Sequence, residues 1–152
     1  MDWMNKAIEK SRILFLDTVP LMRLLQMHPD YYPSISEILD IVYEDNKQLL
    51  VSSVTLYEIS CRAYESGEGV LSRQYREFFE HSRNVRCCDV TSEVSVKAAE
   101  LYAASQKTNH KLTENESLRL ATAFVNGADC IVSECSAFRD ATDIPAVSLN
   151  EI

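Results

Sequence analysis

Four acids and one thiol stand where they could do chemistry together: Asp17, Glu58, Glu116, Glu134 and Cys135. Each lies beside a short apolar run. Asp17 closes Ile13-Leu14-Phe15-Leu16, and Glu58 follows Gln48 to Ser52 in the first turn of the next helical stretch. Glu116 opens the helix that leads to the run Cys130 to Ser133, and Glu134 and Cys135 come directly after that run. Carboxylates drawn together from separate segments repel, so an ionised set is costly unless a cation or a proton joins it. Mg²⁺ or Mn²⁺ is the natural partner, because these hard ions prefer oxygen ligands. An ion so held polarises a phosphodiester, acidifies a bound water and stabilises the leaving oxygen. Hydrolysis of a phosphodiester backbone is the chemistry such a cluster implies.

The same acids have a structural alternative. Glu58 follows Thr55 by three residues and Glu116 follows Thr113 by three, so both fit the S/T-x-x-E capping box, in which the Glu satisfies a helix-end N–H. Asp17 fits a turn or an N-cap equally well. Joint placement at matching ends of one sheet favours the chemical reading.

The elements that must position these side chains alternate along the chain. Strands are expected at Arg12 to Leu16, Gln48 to Ser52, Val85 to Val90, Cys130 to Ser133 and Ala146 to Leu149. Between them, helical spacing of apolar residues marks a stretch from Pro20, then Ser34 to Tyr43, Thr55 to Tyr64, Ser72 to His81, Ser92 to Lys107 and Glu114 to Val125. Gly67-Glu68-Gly69 breaks one helix, and Asn126-Gly127 suits a left-handed cap on another. Short strands separated by helices predict an α/β fold in three layers, with a five-stranded, mainly parallel sheet and helices on both faces. The functional crevice of such a sheet lies beyond the carboxyl ends of its strands. The whole chain, 1–152, reads as a single domain, without repeats or linkers.

Four motifs then resemble the PIN domain family, which includes VapC-type toxin ribonucleases. Ile13-Leu14-Phe15-Leu16-Asp17-Thr18-Val19-Pro20-Leu21 is similar to the family's opening strand and Asp-Thr. Val51-Ser52-Ser53-Val54-Thr55-Leu56-Tyr57-Glu58-Ile59 resembles its second motif, and Glu116-Ser117-Leu118-Arg119-Leu120-Ala121-Thr122-Ala123 its third. Val132-Ser133-Glu134-Cys135-Ser136-Ala137-Phe138 stands where the family has a strand followed by Thr-x-Asp and Phe. The order holds from about Arg12 to the C-terminus. The resemblance implies an endoribonuclease dependent on Mg²⁺ or Mn²⁺, with RNA as substrate, an antitoxin protein as partner and often a homodimer. It assigns Asp17, Glu58 and Glu116 to the metal and its attacking water, adds Glu134 as a further ligand, and places Thr18, Ser53, Ser133 and Cys135 around them.

Two positions depart from the family pattern. Glu116 stands for the usual third Asp, and Cys135 replaces the fourth acid with a thiol, a poor ligand for a hard ion. These departures support a second reading, a catalytically degenerate PIN-like module that binds RNA or protein. A signalling receiver domain is disfavoured, since Thr18 follows Asp17 and Asn150 follows the final strand.

Bulk properties narrow the setting. The formal charge is −8 and the sequence pI about 4.9, which argues against a protein that grips nucleic acid by excess Lys and Arg. The basic group Arg73, Arg76, Arg83 and Arg86 is interleaved with Glu77 and Glu80 and reads as a solvated face. No apolar run is long enough to span a membrane. Five cysteines without framework spacing suggest reduced thiols and a cytoplasmic protein. Cys87-Cys88 lacks a second pair for zinc, and His110 reads as an ordinary loop residue.

Overall fold

Alternation within the strands sets the layers. In β1 (Ile13–Leu16), Leu14 and Leu16 point to one face and Phe15 to the other, and all three are buried. β2 (Gln48–Ser52) repeats this with Leu49 and Val51 against Leu50, and β4 (Cys130–Val132) with Cys130 and Val132 against Ile131. A strand buried on both faces must lie inside a parallel sheet covered by helices. The computed structural model, which describes residues 2–151 and the side chains of 5–150, shows that sheet. With β3 (Val85–Cys88) and β5 (Ala146–Val147) it has five strands in the order β3-β2-β1-β4-β5, every pairing parallel.

Helices cover both faces. On the first lie Ile8 of α1 (Asp2–Lys10), Leu21, Leu24 and Leu25 of α2 (Thr18–Leu25), and Ile35, Ile38 and Val42 of α3 (Tyr32–Glu44). Ile59 of α4 (Ser53–Ser66) and Leu71 and Tyr75 of α5 (Gly69–His81) complete that layer. On the second, α7 (Glu114–Val125) contributes Leu120 and Ala123, and the short α8 (Ala137–Ala141) contributes Phe138. α6 (Ser92–Ser105) packs on α7 through Val94, Ala98 and Ala121.

Several boundaries differ from the sequence expectation. Among the described residues of helix α1, Ala7 and Ile8 pack toward the core, a short apolar face that does not stand out in the sequence. Its end is held by Lys47, buried at 7% exposure, whose Nζ donates to the carbonyls of Glu9 (2.8 Å) and Ser11. Helix α4 begins at Ser53 and not at Thr55, because the Ser52 hydroxyl accepts the Val54 N–H at 3.1 Å and caps it. The third strand stops at Cys88 and the fifth at Val147, followed by a single 3₁₀ turn at Leu149–Glu151. Gly127 ends α7 at φ +77°, the left-handed conformation expected of Asn126-Gly127.

Candidate functional site

The chain moves outward from β1 through β2 to β3, then returns to add β4 on the other side of β1. That reversal opens a crevice at the carboxyl ends of β1 and β4. Asp17 sits there, one residue past β1, with its backbone N–H on the Val132 carbonyl at 3.0 Å. It occupies the N-cap position of α2, yet its carboxylate makes no capping bond. It is 3% exposed and turns into the crevice.

What it meets there is Arg119. The guanidinium reaches in from α7 and donates Nε–H to Asp17 Oδ1 and Nη1–H to Glu58 Oε1, both at 2.7 Å. The Arg119 side chain is 10% exposed, and those of Asp17 and Glu58 are 4% and 25%. Burial disfavours the charged guanidinium, but the two carboxylates outweigh it and hold its pKa above the usual arginine value. Ser133, just past β4, donates its hydroxyl to Asp17 Oδ2 at 2.7 Å and accepts the Cys135 N–H at 3.0 Å. Thr18 and Thr55 share a hydroxyl hydrogen bond of 2.8 Å, and Thr18 lies 3.4 Å from Glu58 Oε1. Ser53 takes the first position of α4, with the capping role falling to Ser52.

The capping alternative fails for Glu58 and holds for Glu116. Since α4 starts two residues earlier than expected, Glu58 lies in its second turn, clear of the helix end. Glu116 does close a capping box: Thr113 accepts the Glu116 N–H at 3.2 Å, and Glu116 Oε1 accepts the Thr113 N–H at 3.0 Å. Its other oxygen accepts the Cys135 thiol at 2.6 Å. Burial would raise the Glu116 pKa, but the thiol and the Thr113 donors hold it below the ordinary carboxylate value. The Cys135 thiol is pushed up to about 12 by burial and by the Glu116 carboxylate. Glu134 is turned out of the crevice. It accepts from Ser148 Oγ (2.5 Å), Leu149 N (2.8 Å) and Asn150 Nδ2 (2.9 Å), and so fastens the C-terminal turn. A residue pointing one way beside two neighbours pointing the other is ordinary for chain leaving a strand.

The paired shifts of Cys135 and Glu116 have opposite pH signs. The thiol's contribution is whole below about pH 8.5, where unfolded thiols begin to ionise. It is lost as pH rises towards about 12. The Glu116 contribution is present above the ordinary carboxylate range and fades as pH falls through its lowered folded value. Alkylation of Cys135 at mildly alkaline pH, followed by peptide mass mapping, is expected to be slow and to speed up several-fold in Glu116→Gln. An unchanged rate would show that the carboxylate does not restrain the thiol.

A hard divalent ion needs carboxylate oxygens open to it. Both oxygens of Asp17, both of Glu116 and Oε1 of Glu58 already accept protein donors. A guanidinium already lies between Asp17 and Glu58. Among the described residues, no three His, Cys, Asp or Glu side chains gather closely enough to hold a metal. The donor set does not fit Mg²⁺ or Mn²⁺ as it is arranged. In the sequence Arg119 stands within an otherwise apolar helical stretch. The signal was a lone cation between Leu118 and Leu120 in a run that continues through Ala121-Thr122-Ala123, for a buried charge demands a buried partner.

No protein-family model matches the sequence, and no curated protein matches it. Solved structures do match its shape. A chain of VapBC2 from Rickettsia felis, bound to a DNA fragment from its promoter, aligns with TM-score 0.71 at 16% identity, over 90% of this chain and 98% of that one. FitAcB from Neisseria gonorrhoeae gives 0.68 at 14%, over 91% and 99%. VapC20 from Mycobacterium tuberculosis, a toxin that cleaves the sarcin–ricin loop, gives 0.63 at 14%, over 84% and 94%. The chain therefore has the PIN-type fold of these toxin–antitoxin proteins, as the order of its motifs led us to expect.

Proposed function

We propose that this chain is a PIN-fold binding protein that works without phosphodiester hydrolysis and pairs with a small protein of the antitoxin type. The observation that carries the first half is the Arg119 fork across Asp17 and Glu58. It satisfies the acids that a nuclease would keep free for metal and water. Glu116 is likewise engaged by its own cap and by Cys135. The partner class follows the solved neighbours, among them VapBC2 and a toxin–antitoxin complex from Klebsiella pneumoniae. A formal charge of −8 also favours a protein partner over the RNA backbone.

A second reading, Asp17-dependent RNA hydrolysis, draws support from one observation: Asp17 and Glu58 meet across Arg119 from segments far apart in the chain. One experiment decides. Purified wild-type protein and Asp17→Asn are incubated with structured RNA, including a sarcin–ricin loop oligonucleotide, in Mg²⁺ or Mn²⁺ and in EDTA. Intact RNA in every wild-type lane is the expected result. Cleavage by the wild type that Asp17→Asn abolishes would establish the nuclease instead.

A further inference from the structure

We infer that Arg119 is the resident cation of this pocket, and that the pocket consequently takes up neither Mg²⁺ nor Mn²⁺. The inference deepens the non-hydrolytic reading and rests on it. A guanidinium and a divalent ion compete here for the same negative charge, since Arg119 already sits on Asp17 Oδ1 and Glu58 Oε1 and a second cation beside it would be repelled. The arginine has the advantage of being tethered. It projects from α7 just ahead of a fully buried stretch, with Leu120, Ala121 and Thr122 all at 0% exposure. Its planar fork spans two carboxylates from different elements, a task that suits guanidinium better than a point charge. The remaining oxygen of Asp17 accepts the Ser133 hydroxyl. At the crevice wall where a hard ion would want a carboxylate, Cys135 presents a protonated thiol already given to Glu116.

The arrangement joins three parts of the chain. Asp17 follows the central strand, Glu58 belongs to α4, and Arg119 belongs to α7 on the far side of the sheet from the first helical layer. The cation therefore ties the two helical layers together at the mouth of the crevice, a structural role that a bound ion would otherwise fill. The wild-type fold should then be indifferent to metal. Removing the guanidinium should reverse this, because Asp17 and Glu58 become neighbouring uncompensated anions, the condition that attracts a divalent cation.

The test combines titration calorimetry with Mn²⁺ and thermal unfolding with and without Mn²⁺ or EDTA, on wild type, Asp17→Asn and Arg119→Gln. Gln keeps part of the volume and some hydrogen bonding but no charge. Wild-type Tm should not move with either reagent, while Arg119→Gln should gain at least about tenfold in Mn²⁺ affinity and a Tm that rises with Mn²⁺. Mn²⁺ binding by wild type that Asp17→Asn abolishes overturns the inference. So does a folded Arg119→Gln that binds no better than wild type. If Arg119→Gln fails to fold, the wild-type titration decides alone: absence of heat at millimolar Mn²⁺ upholds the inference. RNA cleavage by wild type in EDTA would sink the functional reading and leave this one standing. Mn²⁺ uptake without cleavage would do the opposite.

Discussion

Asp17→Asn is expected to lower the unfolding free energy by about 3–5 kcal/mol, the usual cost of removing one member of a buried ion pair. The direction is informative. In a cluster of acids assembled for a metal, neutralising one relieves repulsion, and the metal-free protein gains stability. Here the carboxylate accepts Arg119 Nε on one oxygen and Ser133 Oγ on the other, at 2.7 Å each. An asparagine offers one acceptor and would turn an N–H₂ donor toward one of those two donors. The guanidinium, with a side chain 10% exposed, would keep only Glu58 as counter-ion. Urea unfolding of both proteins in EDTA measures the difference. An Asp17→Asn protein as stable as wild type, or more stable, would show that the acids repel and that Arg119 does not bind them as described.

Phe15→Ala should cost a similar amount, about 3–5 kcal/mol, for a different reason. Phe15 is fully buried in the central strand and lies in the cluster formed with Leu50, Ile131, Leu120 and Phe138. Truncation leaves a void bounded by β2, β4, α7 and α8. One residue of that cluster, Leu120, directly follows Arg119 in α7. Phe15→Leu, which keeps most of the volume, should cost less than about 1.5 kcal/mol. Equal losses for the two variants in urea unfolding would mean that the aromatic shape, and not the filled volume, is what the core requires.

The layered sheet was legible because its signals are dense. β1 and β4 are uninterrupted apolar runs, β2 has the apolar centre Leu49-Leu50-Val51, and each is followed by polar residues that leave the sheet. The expected meeting of Asp17, Glu58, Glu116 and Glu134 followed from that topology, whereas the structure brings Asp17 and Glu58 onto Arg119, gives Glu116 to Thr113 and Cys135, and turns Glu134 away. Side-chain allegiance was harder to read. The same S/T-x-x-E spacing forms a true capping box at Thr113 and Glu116 but not at Thr55 and Glu58, because Ser52 takes the cap two residues earlier. Glu134 faces the C-terminal turn, a direction set by the path of the chain after β4. Arg119 stood in plain view within the third motif, yet only the fold shows that its burial is matched to Asp17 and Glu58. Spacing along a chain describes neighbours on one element, whereas this pairing crosses between elements 102 and 61 residues apart.

Lys47 also links two separate stretches of the chain. Its ammonium group serves two carbonyls at the close of α1, so the segment before β1 and the loop before β2 are fastened by one side chain. Deleting α1 would remove more than a covering helix. It would take the Glu9 carbonyl from the Lys47 ammonium and leave it only that of Ser11, and a chain shortened in that way should lose part of the anchoring of its second strand before anything at the crevice changes.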